Sequence, residues 1–295
     1  MTVPESSREG QAWIAAFKDG LQKVGWSQGR NIRVDVRWGA VDLDTTQRFA
    51  QEIVSAKPDL ILGQNTPTTF ALLQQTRTIP IIFANVSDPI GDGIVTSFAR
   101  PGGNVTGFTN IEGSMSGKWL ELLREIAPRV NRVAFLFNPA TAPYFEYYLQ
   151  PFKDAAHSFV MEAIPAAVHD GSELESVIIG EAQKPNSGLV VMPDGFNINH
   201  RRDITSLAAR YRFPAVYPQR LYSEIGGLMS YGNDPLDNFR RAATYADRIL
   251  KGTKPSELPV QALVKFELVI NLKTAKVLGL DVPPLLQQRA DEVIE

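Results

Sequence analysis

The chain of 295 residues contains no cysteine and only three histidines. Without cysteine it cannot form a disulfide, a thiolate nucleophile, a zinc–thiolate site or an iron–sulfur cluster. His157, His169 and His200 are too far apart in the sequence to make a His-rich metal site. We therefore expect no metal and no cofactor, and we interpret all three histidines as surface or structural residues.

The chain also lacks an excess of charge of either sign and any long apolar run. Thirty Lys and Arg against 32 Asp and Glu give a net charge of −2, so no basic surplus exists to bind a phosphate backbone. No stretch approaches the roughly 18 apolar residues that a membrane span needs. Residues 1–9 contain no basic segment followed by an apolar one, so this sequence shows no signal peptide. We expect no nucleic acid partner.

Motifs for catalysis and for nucleotide binding are incomplete. Gly91-Asp92-Gly93 begins like a dinucleotide fingerprint, but Thr96 stands where the third glycine belongs. Gly113 to Lys118 resembles a phosphate loop with a shortened spacing, and Trp119 replaces its Ser or Thr. Neither a Gly-x-Ser-x-Gly elbow nor a His-Glu-x-x-His motif occurs. We predict that the protein is not an enzyme.

The sequence does contain a repeated alternation of short apolar strands and amphipathic helices. Apolar segments 59–63 and 81–84 are separated by a helical pattern over 67–75, which is typical of a parallel sheet covered on both faces. Residues 31–38 alternate apolar and polar side chains, which predicts a half-exposed strand. After a turn-rich stretch at 100–104 the alternation restarts, and it continues to residue 217.

The length suits two domains of roughly 150 residues each. We predict a first part of lobe 1 over 1–108 and a first part of lobe 2 over 109–225. A return segment of lobe 1 follows over 226–258, and a crossing segment with the C-terminal elements of lobe 2 over 259–295. Such multiple crossings predict a hinge.

Polar loops follow the predicted strands of the first half, at the end where open α/β sheets bind ligands. Asn65 and Thr66 lie between a strand and a helix, where they could hold a carboxylate, although N-capping of the helix explains them equally well. Asn85, Ser87 and Asp88 offer an amide, a hydroxyl and a carboxylate after the next strand. A simple Asp-Pro turn is the alternative interpretation.

Polar and aromatic residues occupy matching positions in the second half. Asn138 and Thr141 follow one strand, and Asp194 follows another. Asp194 could pair with a ligand ammonium, or it could only form a turn before Gly195. Tyr217 and Tyr231 could provide stacking faces, or they could be core aromatics at strand ends.

At these residues the chain resembles the substrate-binding proteins of bacterial ABC importers, including the tryptophan/tyrosine type. The resemblance covers essentially the whole chain. The segments that carry it are Val86–Pro89, Arg100–Gly107, Gly117–Leu123, Asn138–Thr141, Met192–Asp194, Leu228–Gly232 and Lys265–Ala275.

The resemblance implies an α/β fold with two Rossmann-like three-layer lobes joined by a multi-crossing hinge, the type I periplasmic binding protein fold, with a solute held between the lobes. Members of the family begin, after an export signal, with a β-strand that is missing here. We therefore expect the first strand of lobe 1 to be absent, because the start codon was assigned too far downstream or because the sequence was trimmed. Carried over residue by residue, the resemblance places the solute at Asn65, Thr66, Asn85, Ser87, Asp88, Asn138, Thr141, Asp194, Tyr217 and Tyr231.

The function that the resemblance implies is solute binding for an ABC importer, with hinge closure and delivery to the transmembrane permease subunits. The implied ligand is an aromatic or branched amino acid or a related carboxylate. We expect a monomer, located in the periplasm or anchored outside the cytoplasmic membrane. The alternative is the ligand-sensing domain of a transcription regulator or signalling receptor with the same two-lobed fold; a regulator would need a helix-turn-helix upstream.

Overall fold

The computed structural model describes residues 1–40, 42–262 and 266–295. The chain divides into two compact units, Met1–Asn110 with Pro235–Val264 and Ile111–Asp234 with Lys265–Glu295. We call them the first and the second unit. Residues 263–265, which fall in the expected crossing segment, lie outside the described residues.

Strands and helices alternate along most of the chain. The strands are β1 (Ile61–Gly63), β2 (Ile81–Val86), β3 (Val105–Thr109), β4 (Arg132–Phe137), β5 (Glu162–Ala167), β6 (Ser187–Val191), β7 (Ala215–Tyr217), β8 (Met229–Gly232), β9 (Glu267–Asn271) and β10 (Glu292–Ile294). The helices are α1 (Arg8–Lys23), α2 (Leu43–Ser55), α3 (Thr66–Gln75), α4 (Met115–Ile126), α5 (Phe145–Ser158), α6 (Gly171–Ala182), α7 (Gly195–Asn199), α8 (Arg201–Arg210), α9 (Arg220–Glu224), α10 (Pro235–Leu250), α11 (Leu272–Leu278) and α12 (Pro284–Arg289). None of the described helices has the length and apolar character that a membrane span requires.

The first unit is built on a parallel sheet whose described strands run in the order β1-β2-β3. Ile82 of β2 packs with Phe17 of α1 and Phe239 of α10 in one apolar cluster. Ile81 of the same strand packs into a second cluster with Leu72 of α3. Because adjacent residues of β2 face opposite helix layers, the strand must be apolar on both faces, which explains its continuous apolar run.

Side-chain caps set the starts of the helices around this sheet. The Ser7 side chain accepts a hydrogen bond from the Gly10 N–H at the start of α1. At α3 the capping is reciprocal, since Asn65 accepts from the Thr68 N–H and the Thr68 hydroxyl accepts from the Asn65 N–H. Each cap satisfies N–H groups that have no partner inside the helix. Helix α3 therefore begins at Thr66, with Asn65 as its N-cap.

The second unit contains a seven-stranded sheet in the order β10-β9-β8-β7-β6-β4-β5 among its described strands. All neighbours are parallel except β8 and β9, which are antiparallel. Helices α4 and α5 pack together, as do α6 and α8. The α/β class with parallel sheets that the sequence predicts is confirmed.

The strand predicted over residues 31–38 is wrong. Residues 33–40 form no ladder with another described segment, and Ile32 makes only an isolated bridge with Gln28. The apolar alternation of Ile32, Val34 and Val36 is present, but a strand also needs a neighbour that accepts its hydrogen bonds. No described strand lies beside this segment to provide them.

The return to the first unit was predicted at residue 226, but residues 226–234 belong to the second unit. Strand β8 pairs with β7 through Val216 and Met229, and with β9 through Tyr231 and Leu268. An apolar strand can join either of two sheets, and its sequence does not say which. The C-terminal residues contain α12 and β10, which pairs with β9.

Gly232 at the end of β8 offers a direct test of this sheet. A β-carbon at this position would overlap the carbonyl oxygen of Pro218. We expect Gly232→Ala to lower the free energy of unfolding by at least about 2 kcal/mol, because backbone cannot move aside as a side chain can. Chemical denaturation followed by circular dichroism measures the change.

Gly180→Ala is the matched control. Gly180 lies within α6, and a β-carbon there meets no atom within 4 Å. Alanine favours a helix interior over glycine by up to about 1 kcal/mol, so this variant should be neutral or more stable. Equal stability of the Gly232 and Gly180 variants would contradict the close approach of β8 to Pro218.

Candidate functional site

Polar side chains of the first unit meet at the carboxyl ends of its parallel strands. The Thr66 hydroxyl, after β1, accepts a hydrogen bond of 3.2 Å from the Ser87 N–H, after β2. The Asn110 amide, after β3, donates to the Ser87 hydroxyl at 3.5 Å. Thr66 and Ser87 are buried, while Asn65 and Asn110 are partly exposed. The three strand ends therefore share one polar network.

Asn85 lies within β2 and belongs to the same network. Its side-chain oxygen accepts a hydrogen bond of 2.8 Å from the Asn238 amide, which also donates to the Thr109 carbonyl at 2.9 Å. Asn238 is fully buried on α10, far away in the sequence. Sequence reasoning missed Asn238, because its position in the middle of an amphipathic helix carries no loop signal.

Asp88 forms the turn that follows β2. One carboxylate oxygen accepts a hydrogen bond of 2.9 Å from the Gly91 N–H, so the Asp-Pro turn is present. Asp88 remains partly exposed. The partial burial of nearby Asp92 and, as the smaller cause, the charge of Asp88 raise the pKa of Asp92 to about 6. This turn therefore carries more negative charge than the rest of the polar edge.

Asn138, Thr141 and Asp194 form a second polar group, in the second unit. The Asp194 carboxylate accepts from the Asn138 N–H at 3.1 Å, from the Asn197 N–H at 2.7 Å and from the Thr141 hydroxyl at 3.5 Å. The Asn138 side chain accepts from the Thr141 N–H at 3.1 Å and donates to the His169 carbonyl at 2.9 Å. This group ties the loop after β4 to the start of α7.

Burial controls the ionisation of Asp194. The residue is 7% exposed, and removal from water raises its pKa to about 7, although the hydrogen bonds from Asn197, Asn138 and Thr141 oppose the rise. Both carboxylate oxygens already accept hydrogen bonds within the unit. Asp194 therefore acts first as a helix cap that positions its neighbours.

The two candidate tyrosines lie in different surroundings. Tyr217 at the end of β7 is 1% exposed, and its ring stacks on Tyr222 at 4.9 Å between centroids. Core side chains cover the Tyr217 ring, so it does not offer the open stacking face that was one of its two expected roles. Tyr231 in β8 is partly exposed and stacks on Phe266 at 5.7 Å. Its backbone carbonyl accepts a 2.6 Å hydrogen bond from the Trp119 indole.

Asn233, which follows β8, is a further candidate that the sequence reasoning missed. It is 4% exposed, and neither its amide nitrogen nor its amide oxygen has a hydrogen-bond partner among the described residues. A buried amide left in this state costs about 1–3 kcal/mol, so a ligand or water that pairs with it is favoured. The loops after β2 and β4 were selected because polar residues follow a strand there. Asn233 follows β8 in the same way, so the same reasoning could have found it.

The two polar groups can bind but are poorly equipped to catalyse. They consist of amides, hydroxyls and two carboxylates that already accept backbone hydrogen bonds. His169 lies near the Asp194 group through its backbone carbonyl only, and its imidazole contacts the exposed Glu173. Within the described part of the chain, no three metal-ligating side chains lie close enough to hold a metal ion. Hydrogen-bonding recognition of a small polar solute is the chemistry that these residues offer.

Comparison with known proteins agrees with that chemistry. A family described as ABC transporter substrate binding protein matches residues 8–294. A tyrosine-binding protein of Clostridioides difficile (strain R20291) is 28% identical over 264 residues, which are 90% of this chain and 75% of that protein.

Two solved structures are similar in fold over nearly the whole chain. A conserved domain protein of Vibrio cholerae is 28% identical with a TM-score of 0.89, over 96% of this chain and 94% of its own. An ABC domain from Streptococcus pneumonia in complex with L-Trp is 25% identical with a TM-score of 0.90, over 98% of this chain and 96% of its own.

The burial of Asp194 predicts a specific dependence of stability on pH. Because folding raises the pKa of Asp194 from its ordinary value of 3.8 to about 7, the folded state holds the proton more tightly than the unfolded state. The stabilisation of the folded state by this proton is therefore complete below about pH 4, and it is lost as the pH rises through 7. Between these pH values, we expect the free energy of unfolding of the native protein to fall by on the order of 4 kcal/mol relative to that of Asp194→Asn.

Urea denaturation at a series of pH values measures this difference in the free energy of unfolding. Asp281→Asn, at an exposed aspartate of the same unit, is the control and should follow the native protein at every pH. A constant difference between the native protein and Asp194→Asn across the range would show that Asp194 ionises normally.

Proposed function

The chain belongs to the family of ABC transporter substrate binding proteins, and on that premise we propose that it binds a free amino acid and delivers it to the permease of an ABC importer. The ligand class rests on one observation: 90% of this chain aligns with a tyrosine-binding protein, at 28% identity. The fold likeness to a domain in complex with L-Trp supports the same class. The family is one of binding proteins, which agrees with the expectation that the chain is not an enzyme.

The polar network at the strand ends of the first unit suits the charged ends of an amino acid. In our proposal the backbone N–H groups near Thr66, at the start of α3, and the hydroxyl of Ser87 hold the carboxylate, because a helix N-terminus favours negative charge. Asp88 holds the ammonium group through the carboxylate oxygen that does not accept from Gly91. Asn65 and Asn85 orient this edge through the hydrogen bonds that they already make.

In our proposal the second polar group orients the solute and does not bind its charged ends. In our proposal the Thr141 hydroxyl contacts the solute, since its present bond to Asp194 is long at 3.5 Å and the residue is partly exposed. Asn138 and Asp194 hold the loop in which Thr141 lies. Tyr231 offers an aromatic surface for the solute side chain, which favours an aromatic amino acid.

Delivery, hinge closure and an extracytoplasmic location are the finer parts of the proposal. They rest on the family, whose members serve membrane importers. The expected single-chain state belongs to this finer part as well.

A ligand screen tests the solute class. We expect tyrosine or tryptophan to raise the melting temperature, since a ligand that binds only the folded state stabilises it by mass action. The screen compares the twenty amino acids with ribose and benzoate by thermal shift, followed by calorimetry for each solute that stabilises. Stabilisation by a sugar alone, or by none of the solutes, would contradict the amino acid class.

Two substitutions test the site separately from the class. We expect Asp88→Asn and Thr141→Ala each to weaken binding about tenfold, equivalent to 1.4 kcal/mol, with little change of melting temperature in the absence of solute. Their matched controls are Asp281→Asn and Thr244→Ala, at exposed positions, which should bind like the native protein. Unchanged affinity in both test variants would overturn this site while leaving the ligand class intact.

A further inference from the structure

Asn85 and Asn238 form an amide pair in the first unit, and their surroundings fix the direction of the Asn238 amide. The Asn238 nitrogen lies 2.9 Å from the Thr109 carbonyl oxygen and 2.8 Å from the Asn85 side-chain oxygen. A backbone carbonyl can only accept a hydrogen bond. The part of the Asn238 amide that faces Thr109 must therefore be its NH2 group.

The direction of Asn238 in turn fixes that of Asn85. Because the Asn238 NH2 group also faces the Asn85 side chain, the Asn85 atom that it meets must be the oxygen. The Asn238 oxygen is buried and has no partner among the described residues. A reversed Asn238 would be worse, since it would place two oxygens together and leave the Thr109 carbonyl without this donor.

The NH2 group of Asn85 is consequently directed away from Asn238. It makes no hydrogen bond with any described residue, and Asn85 is partly exposed. Asn85 lies two residues before Ser87, whose N–H donates to the Thr66 hydroxyl. The Asn85 side chain thus offers the polar edge unpaired N–H donors, while its acceptor is already occupied.

An extra residue in β2 accompanies this arrangement. Phe83 pairs with Gly107 and Val86 pairs with Thr109, so three steps along β2 match two steps along β3. Asn85 lies between these pairs. An irregularity of this kind re-aims a side chain and is frequent beside functional sites.

The packing of the neighbouring residues shows where the side chain is re-aimed. Ala84 packs in the cluster that contains α10, and Phe83 packs in the cluster on the other face. Strict alternation would put Val86 on the side of Ala84, but Val86 packs on the side of Phe83. Asn85 instead reaches Asn238 on α10. The irregularity of β2 therefore brings this amide to the residue that orients it.

We propose that Asn238 is a positioning residue, which holds the Asn85 amide with its NH2 group towards the solute, so that this position recognises a carboxylate. The inference rests on the proposed function, because it adds the Asn85 NH2 group to the donors near Thr66 and Ser87 that hold the solute carboxylate. Asn238 has no exposed surface, so it acts through Asn85.

The arrangement discriminates between a carboxylate and a carboxamide. A carboxylate is charged and only accepts hydrogen bonds, whereas a carboxamide is a weaker acceptor and brings donors of its own. The Asn85 oxygen is occupied by Asn238 and cannot accept from those donors. A free amino acid is therefore preferred to its amide.

The direction of the two amides can be measured without any solute. In the full chain with isotope-labelled asparagine, NMR follows hydrogen exchange of the side-chain NH2 groups, and Asn85→Asp and Asn238→Ala identify the two signals. We expect the Asn238 NH2 group to exchange at least about tenfold more slowly than that of Asn85, because it is buried and donates two hydrogen bonds.

The role in recognition is measured by the ratio of two affinities. Calorimetry compares tyrosine with tyrosinamide, which has the same ring and ammonium group. We expect Asn238→Ala to lower the preference for tyrosine about tenfold, because the Asn85 amide can then turn its oxygen outwards. A merely structural role would weaken the binding of both solutes alike and leave their ratio unchanged.

Two further variants keep the test independent of the stability of α10. Asn85→Asp retains an acceptor for Asn238 and replaces the outward NH2 group by an oxygen, so it should lower the preference at least about tenfold. Ile249→Val is the control for a weakened helix, since Ile249 is buried on α10 about three turns beyond Asn238. It should leave the ratio as in the native protein.

The outcomes separate this inference from the proposed function. Equal exchange of the two NH2 groups would overturn the fixed direction. An unchanged preference in Asn238→Ala and Asn85→Asp would overturn its role in recognition and leave the proposed function intact. If no amino acid binds the native protein, the proposed function fails and the assignment of the carboxylate fails with it, while hydrogen exchange still decides the direction of the amides.

Discussion

The burial of parallel strands on both faces is the constraint on which the rest of this structure depends. In β2, Ile81 to Ala84 have no exposed surface, because helices cover both sides of the sheet. Polar side chains gather at the carboxyl ends of strands, where the backbone leaves the core. Polar side chains within a strand have partners: Asn85 of β2 accepts a hydrogen bond from Asn238 of α10, and the buried Thr106 of β3 donates to the Leu258 carbonyl.

The same constraint gives Asp194 a mainly structural role. Its carboxylate lies at the edge of a buried sheet and accepts hydrogen bonds from the loop after β4 and from α7. Those bonds replace water, yet they do not fully compensate for its loss, and the pKa is raised. Any solute that reaches Thr141 does so beside a carboxylate whose charge depends on pH near neutrality.

In the first unit, Thr2 and the candidate binding residues are physically connected. Thr2 contacts Gln64 and, through its hydroxyl, Asn65 at 3.5 Å. Gln64 and Asn65 form the loop between β1 and α3. Thr2 therefore helps to hold the loop that presents Thr66.

The sequence by itself determined the local features of this protein: the alternation of apolar strands and amphipathic helices and the polar loops after strands. Each of these depends on residues close together in the chain. Tertiary structure alone decided the rest. It assigned β8 to the second sheet, left residues 33–40 without a strand partner, buried the ring of Tyr217 and brought Asn238 to Asn85. These outcomes depend on hydrogen bonds and packing between distant segments, and a local pattern of side chains does not specify which neighbour a segment will have.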